Sequence, residues 1–437
     1  MSKAAHMNLR AVLSAIPMID THSHVMGLQE MRRNSVNLFK IFGNTYARLD
    51  FISAGMSASV WEFNDNLENF WPLFKEYQPF VQHTAYYRAT IRALQGLYGL
   101  KEETITDDNW QVLSERVTRA YQRNDWYHYV LKERANVNVG MLDMFWSVDY
   151  FCHDPSLFRP ILRANPLILG RQYIYKFKGK AHYTSIEEIA QAFDGNLKTF
   201  EGYLDLVRTV IKGYKAVGSP AVKIATAYER TLEFLPVSRD EAAHLYVSEP
   251  QRLTPEEERR LQDFMARFVI GIAIEEGLPV QIHTGIFARN ANILSNGNPE
   301  HLNQLFLDFP DARFVLLHFG FPYIGQAISL AKMFPNVFVD LVWVPLLSPT
   351  VARQVLDECL DLVAVNKIMW GSDAYQVEDV YAAACLAREV VTDVLLNKIE
   401  RGEMNEEQAL TIAQRIFYQN AMSLFRLNQD TKMVTGK

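Results

Sequence analysis

Past Leu278 the sequence settles into an alternation of short apolar runs and helix-like segments, and this pattern most narrows the fold. The runs at 279–282, 313–317, 337–339 and 367–370 recur at intervals of roughly 30 residues. Strands that alternate with helices in this way build a parallel sheet with right-handed crossovers. Within the same half, Thr254-Pro255-Glu256-Glu257 reads as a helix start: a capping threonine, a proline at the first helical position and a glutamate able to close a capping box. Apolar residues at helical spacing follow, and Gly277 is placed to end the helix. Earlier strand candidates lie at 18–20, 137–142, 167–169 and 221–224. The total of eight is the closing number of a (β/α)8 (TIM) barrel, an α/β fold.

The length of 437 residues exceeds the ~250 that such a barrel needs. The surplus falls mainly between the first two strands. Residues 25–135 are rich in aromatics and read as a long, mostly helical insertion within a single barrel domain spanning 1–437. An insertion after a barrel strand starts at the C-terminal mouth, so its side chains can wall a site there.

Composition removes several classes of function. The net charge of −6 offers no electrostatic footprint for nucleic acid or an anionic membrane. The three cysteines, Cys152, Cys359 and Cys385, are far apart and form no Cys-x-x-Cys pair, which fits a reducing compartment and no thiolate metal site. The N-terminus shows no signal-peptide run, and the apolar stretch 268–274 is cut by Glu275 and Glu276. The expectation is a soluble cytoplasmic protein acting on a small molecule. Glycine-rich phosphate loops, Gly-x-Ser-x-Gly and His-Glu-x-x-His are all missing from the sequence.

Chemistry concentrates at the strand ends. In Met18-Ile19-Asp20-Thr21-His22-Ser23-His24, the two histidines are separated by one residue, so both imidazoles point to the same side of a strand and can share one ion. His283, His318 and Asp373 each follow a later apolar run. Barrel topology brings all these positions to one mouth. Arg171, Tyr228, Arg230 and Trp343 also follow strand candidates, and the two arginines suit bidentate binding of a carboxylate. Asp143, after the second strand, is placed to orient a metal-binding histidine.

The order His22-Ser23-His24, His283, His318, Asp373 resembles the ligand pattern of the amidohydrolase superfamily across the whole chain. The wording is closest to its amidohydrolase-2 branch. The run Val222-Lys223-Ile224-Ala225-Thr226-Ala227-Tyr228-Glu229-Arg230 is similar to the amidohydrolase-like part of nodulin and glutamine-synthetase fusions, and the insertion resembles that of uronate isomerase. The resemblance implies a divalent metal, with zinc the first expectation, and a homo-oligomer. With one ion, His22, His24, His283 and Asp373 would be the ligands. With two, His283 and His318 would take the second, and Lys223, as a carbamate formed with carbon dioxide, would bridge. In either form Asp373 would accept a proton from the attacking water, and in the one-ion form His318 would steady the carbonyl oxygen. This implies hydrolysis of an amide or related C–N bond in a small carboxylated substrate. The same scaffold also supports non-oxidative decarboxylation and isomerisation.

Overall fold

The computed structural model describes residues 3–63, 65–144, 154–170, 185–246, 253–288 and 290–427. Eight strands form one parallel sheet in sequence order: β1 (Met18–Ser23), β2 (Val137–Asp143), β3 (Phe158–Arg163), β4 (Val222–Ile224), β5 (Val280–His283), β6 (Phe314–Leu317), β7 (Val337–Asp340) and β8 (Ile368–Met369). The last strand returns to the first. Thr21 N–H donates to the Trp370 carbonyl at 3.3 Å, and just beyond β8 the Asp373 N–H donates to the His22 carbonyl at 2.8 Å. The fold is a (β/α)8 barrel.

The strands are short and buried on both faces, which is why they read as near-continuous apolar runs rather than as alternating ones. The helix Pro255–Glu275 starts as its sequence dictates. Thr254 caps the Glu257 N–H, and the Glu257 side chain returns the bond to complete the box. Gly277 then takes the left-handed conformation, φ +68°, that turns the chain into β5.

One strand differs from the sequence expectation. Residues 167–169, read as the third strand, lie in the helix Asn165–Leu169, and β3 is Phe158–Arg163 instead. Pro166 stands in the first turn of that helix. The true strand is disguised by Pro160, which lacks a ladder donor, and by two arginines.

Between β1 and β2 the described chain is helical. The insertion has its own aromatic core: the Phe39 ring lies 5.0 Å from Phe70, 5.3 Å from Phe74 and 6.0 Å from Trp110. Most of the aromatics in this segment are therefore packing residues. The insertion is fastened to the helix Val377–Glu400, which follows β8. Gly96 allows the close approach, because a Cβ there would lie 2.2 Å from the Tyr381 hydroxyl. Tyr98 and Tyr121 both donate to the buried Glu378 carboxylate. This docking fixes the insertion relative to the loop that carries Asp373.

Candidate metal centre

Backbone strain marks the mouth of the barrel. His318 (φ +64°), Phe319 (φ +46°), Trp343 (φ +68°) and Asp373 (φ +57°) all adopt left-handed conformations just beyond β6, β7 and β8. Non-glycine residues reach this region at a cost of about 1–3 kcal/mol each, and keep it where the surroundings over-determine them. Three of the four were singled out from the sequence.

His22, His24 and Asp373 converge. One ligand atom from each lies within 4.8 Å of the others, and all three residues are buried. Asp373 Oδ1 is 3.5 Å from His22 Nε2 and 3.4 Å from His24 Nε2. Hydrogen bonds set both tautomers. His24 Nδ1 faces the Asp143 carbonyl at 2.7 Å, which can only accept, so Nδ1 carries the proton and the Nε2 lone pair faces inward. Gln281 Nε2 donates to the Thr21 carbonyl at 2.8 Å; its Oε1 therefore faces His22 Nδ1 at 3.2 Å and takes the proton there. The His22 Nε2 lone pair is left for the cluster. Two imidazole nitrogens and a carboxylate with lone pairs converging are the donor set of a divalent transition metal, and they fit one.

His283 and His318 form a second pair. His283 Nε2 donates to the Ile286 carbonyl at 2.9 Å and His318 Nδ1 donates to the Val342 carbonyl at 3.1 Å. Their remaining nitrogens, both lone pairs in the neutral rings, face each other at 3.0 Å. Two acceptors at this distance call for a proton or a cation. A proton is disfavoured: burial drives the His283 pKa well below its usual value and that of His318 to about 4, and His318 and Lys223 lower His283 further. The separation suits two neighbouring ligands of one ion at ~2.0–2.1 Å. His283 thus faces His318, the pairing of the two-ion arrangement, rather than the His22, His24 and Asp373 group of the one-ion arrangement.

Lys223 links the two groups. It is buried on β4, and its Nζ lies 3.0 Å from His22 Nε2. Burial lowers its pKa to about 7, with the Asp143 and Asp373 carboxylates opposing part of the shift. Burial alone would raise the Asp373 carboxyl. The neighbouring His24 imidazole and the fields of His318 and Lys223 outweigh it and hold the group at about 2.

A buried network braces the β7–β8–β1 corner. Ser372 N–H and Oγ both donate to Asp20, and Thr21 Oγ1 donates to Asp340 at 2.6 Å. Burial raises both carboxyls to about 7. Gly371 is required here, since a Cβ would lie 2.6 Å from Thr21 Oγ1 and 2.7 Å from Val342 Cγ2.

The remaining sequence candidates separate. Tyr228 packs on the His283 ring at 4.8 Å, and its hydroxyl accepts from Ala288 N–H at 3.1 Å. Trp343 packs edge-on against the His318 ring at 5.3 Å. Arg230 is not brought to the cluster: its guanidinium pairs with buried Asp263 and donates to the Glu233 and Arg259 carbonyls. Arg171 lies outside the described residues. Asp143 stands 3.9 Å from His22 Nε2 and 3.4 Å from Arg163 Nε.

Three residues of the site escaped the sequence reading. Gln281 lies two positions before His283, hence on the same side of the strand, and that spacing was a usable signal. Arg163 ends β3, in register with Lys223, and was hidden by the misplaced strand. Tyr46, from the insertion, donates to Asp373 Oδ2 at 2.7 Å. Nothing in the local sequence around Tyr46 indicates this contact.

A (β/α)8 barrel whose strand ends converge lone pairs in this way carries a candidate metal site at its mouth. Residues 226–427 match the family model described as Amidohydrolase, the amidohydrolase-2 model. The C-terminal half of the chain is thus similar to the amidohydrolase family. It is 29% identical over 231 residues to Protein fluG of Emericella nidulans, an alignment taking in 49% of this chain and 27% of that one. The chain thus spans about a quarter of the length of this curated relative. Among solved structures it resembles a uronate isomerase from Thermotoga maritima (TM-score 0.77, 16% identity, 97% of this chain and 98% of that chain). A glucuronate isomerase from Caulobacter crescentus is similar as well (TM-score 0.78, 15% identity, 98% and 94%). So is a putative metal-dependent hydrolase from Lactobacillus casei (TM-score 0.65, 18% identity, 96% and 97%). At these identities the structures share the fold. No helix among the described residues is long and apolar enough to cross a membrane.

Proposed function

We propose that this chain is a metal-dependent hydrolase acting on an amide or related C–N bond of a small carboxylated substrate. The carrying observation is the pair of lone pairs on His283 and His318, 3.0 Å apart, beside a buried lysine whose amine loses its proton near neutrality. His22, His24 and Asp373 would hold one ion, and His283 and His318 a second, with Lys223 as a carbamate between them. The neutral amine is the form that adds carbon dioxide. Bound divalent metal would supply Lewis-acid polarisation and an acidified water. The protein's own groups do the rest. Asp373, charged throughout the neutral range and held by Tyr46, receives the proton of the attacking water and delivers it to the leaving nitrogen. Arg163 binds the substrate carboxylate, the role expected from sequence for Arg171 and Arg230. Tyr228 and Trp343 wall the site.

A second reading is isomerisation or decarboxylation around a single ion. It is favoured by the compact His22–His24–Asp373 group, with Lys223 against His22 as an amine rather than as a bridge. The solved isomerases of similar fold are consistent with it.

Metal content per chain, measured by elemental analysis on protein purified without chelator and paired with intact mass for a carbamate, separates the two. About two ions and a carbamate support hydrolysis. One ion and an unmodified Lys223 support the second reading. No uptake of zinc or manganese by the apo-protein overturns both.

A further inference from the structure

One buried carboxylate near the ligands belongs to neither ligand group. Asp340 ends β7 and is fully buried. Thr21 Oγ1 donates to its Oδ2 at 2.6 Å, and the Val342 N–H donates to its Oδ1 at 3.1 Å. Among the described residues no other group accepts from the Val342 N–H. This second bond opens an unusual turn. The Val344 N–H reaches back two residues to the Val342 carbonyl at 2.8 Å and is shared with the Leu341 carbonyl at 3.1 Å. Trp343, in between, takes φ +68° and ψ −31°. A reversal this tight, of the γ type, is rare and strained, and it persists where the surroundings hold it.

What the turn presents to the site is the Val342 carbonyl. It accepts from His318 Nδ1 at 3.1 Å, so His318 Nε2 keeps its lone pair and faces His283 Nδ1 at 3.0 Å. The Trp343 ring packs on the same imidazole at 5.3 Å. Asp340 thus holds the segment that supplies both the acceptor and the wall of His318. We propose that Asp340 is a positioning residue of the metal centre: by clamping the Val342 turn it fixes the tautomer of His318 and keeps the His283–His318 pair open to a cation. The use of that pair in catalysis rests on the two-ion reading above, whereas the link from Asp340 to His318 stands on its own geometry.

The test reads the tautomer directly, by NMR of isotope-labelled histidine nitrogens in the full-length apo-protein, with His318→Gln locating the His318 signals. Wild type should show one neutral form, protonated at Nδ1. Asp340→Ala removes the acceptor of the Val342 N–H and should give a mixture of the two tautomers. Asp340→Leu should do the same without leaving a cavity, and serves where alanine destabilises the barrel. Asp340→Asn keeps an oxygen for Val342, and its amide can donate to Thr21 Oγ1, whose own proton has the Trp370 carbonyl at 3.0 Å; it should restore the single form. Thr21→Val removes the other arm alone and should leave that form intact, which separates the turn from general packing of the corner. In zinc competition against a chelator, Asp340→Ala should lose about 10- to 100-fold in affinity for the ion that His318→Gln removes, with the other ion within about twofold of wild type. The inference is overturned if Asp340→Ala and Asp340→Leu keep the single tautomer, or if Thr21→Val loses it as readily. Uptake of one ion by the wild type sinks the two-ion reading instead, and the tautomers of the apo-protein still decide the role of Asp340.

Discussion

Replacing Gln281 by leucine tests how the metal-binding tautomer of His22 is set. Gln281 accepts from His22 Nδ1 at 3.2 Å and donates to the Thr21 carbonyl at 2.8 Å, in a fully buried position. Leucine matches its volume closely, so packing changes little. It leaves two buried polar groups without these partners, each at about 1–3 kcal/mol. The apo-protein should therefore lose about 2–6 kcal/mol of stability in equilibrium urea unfolding. The second effect is on binding. Without an acceptor at Nδ1, the proton can move to Nε2 and occupy the ligand lone pair. Loss of such an orienting partner costs about 10- to 100-fold in metal affinity, readable by competition against a chromophoric chelator. If apo stability falls as expected while affinity stays within about twofold of wild type, His22 is not a ligand held through Gln281, and the tautomer argument fails.

Other outcomes follow from the same geometry. Lys223 titrates near 7 in the folded state and near 10.5 when unfolded, so between these values the unfolded chain binds more protons. Apo stability should then rise with pH across that window, by up to about 1.4 kcal/mol per unit, and Lys223→Met should flatten the rise. Gly371→Ala forces a methyl into the β7–β8–β1 corner and should cost about 1–3 kcal/mol together with metal affinity, whereas a loss of stability alone would mean the corner does not position Asp373. Arg230→Gln breaks the buried pair with Asp263 and should destabilise by about 3–5 kcal/mol, seen by thermal or urea unfolding. Affinity for carboxylates per folded molecule should be unchanged, and a selective loss would return Arg230 to the site.

Legibility in the sequence followed the physics of each element. Seven of the eight strands were readable because burial on both faces writes them as apolar runs. The exception, β3, carries Pro160 and ends on Arg163, whose charge serves the barrel interior rather than the core. Misplacing it by a few residues hid Arg163, which pairs with Asp143 beside the cluster. The histidines and Asp373 were readable because a ligand must stand at a strand end. How they divide, three in one group and two in another, was not, because rotamers and tautomers depend on carbonyls such as Ile286 and Val342 that sequence does not place. Tyr46 was unreadable for a different reason. Its contact with Asp373 spans 327 residues and depends on how the insertion docks onto the helix after β8, where Tyr98 and Tyr121 meet Glu378.

The apo site gathers unfavourable features: facing lone pairs, a buried amine and left-handed backbone at three candidate residues. An assembly with these costs is maintained by the surrounding core, and a cation that satisfies the lone pairs relieves them selectively in the folded state. Metal should therefore stabilise this chain strongly, by about 2.7 kcal/mol at a free concentration a hundred times the dissociation constant. The His283→Ala and His318→Ala variants discriminate between the two readings. If a second ion binds there, each should reduce the metal-induced rise in unfolding temperature while leaving the part due to His22, His24 and Asp373. If the pair instead serves only to wall the site, the metal-induced rise should match that of the wild type in both variants, and the two-ion hydrolytic reading gives way to the one-ion alternative.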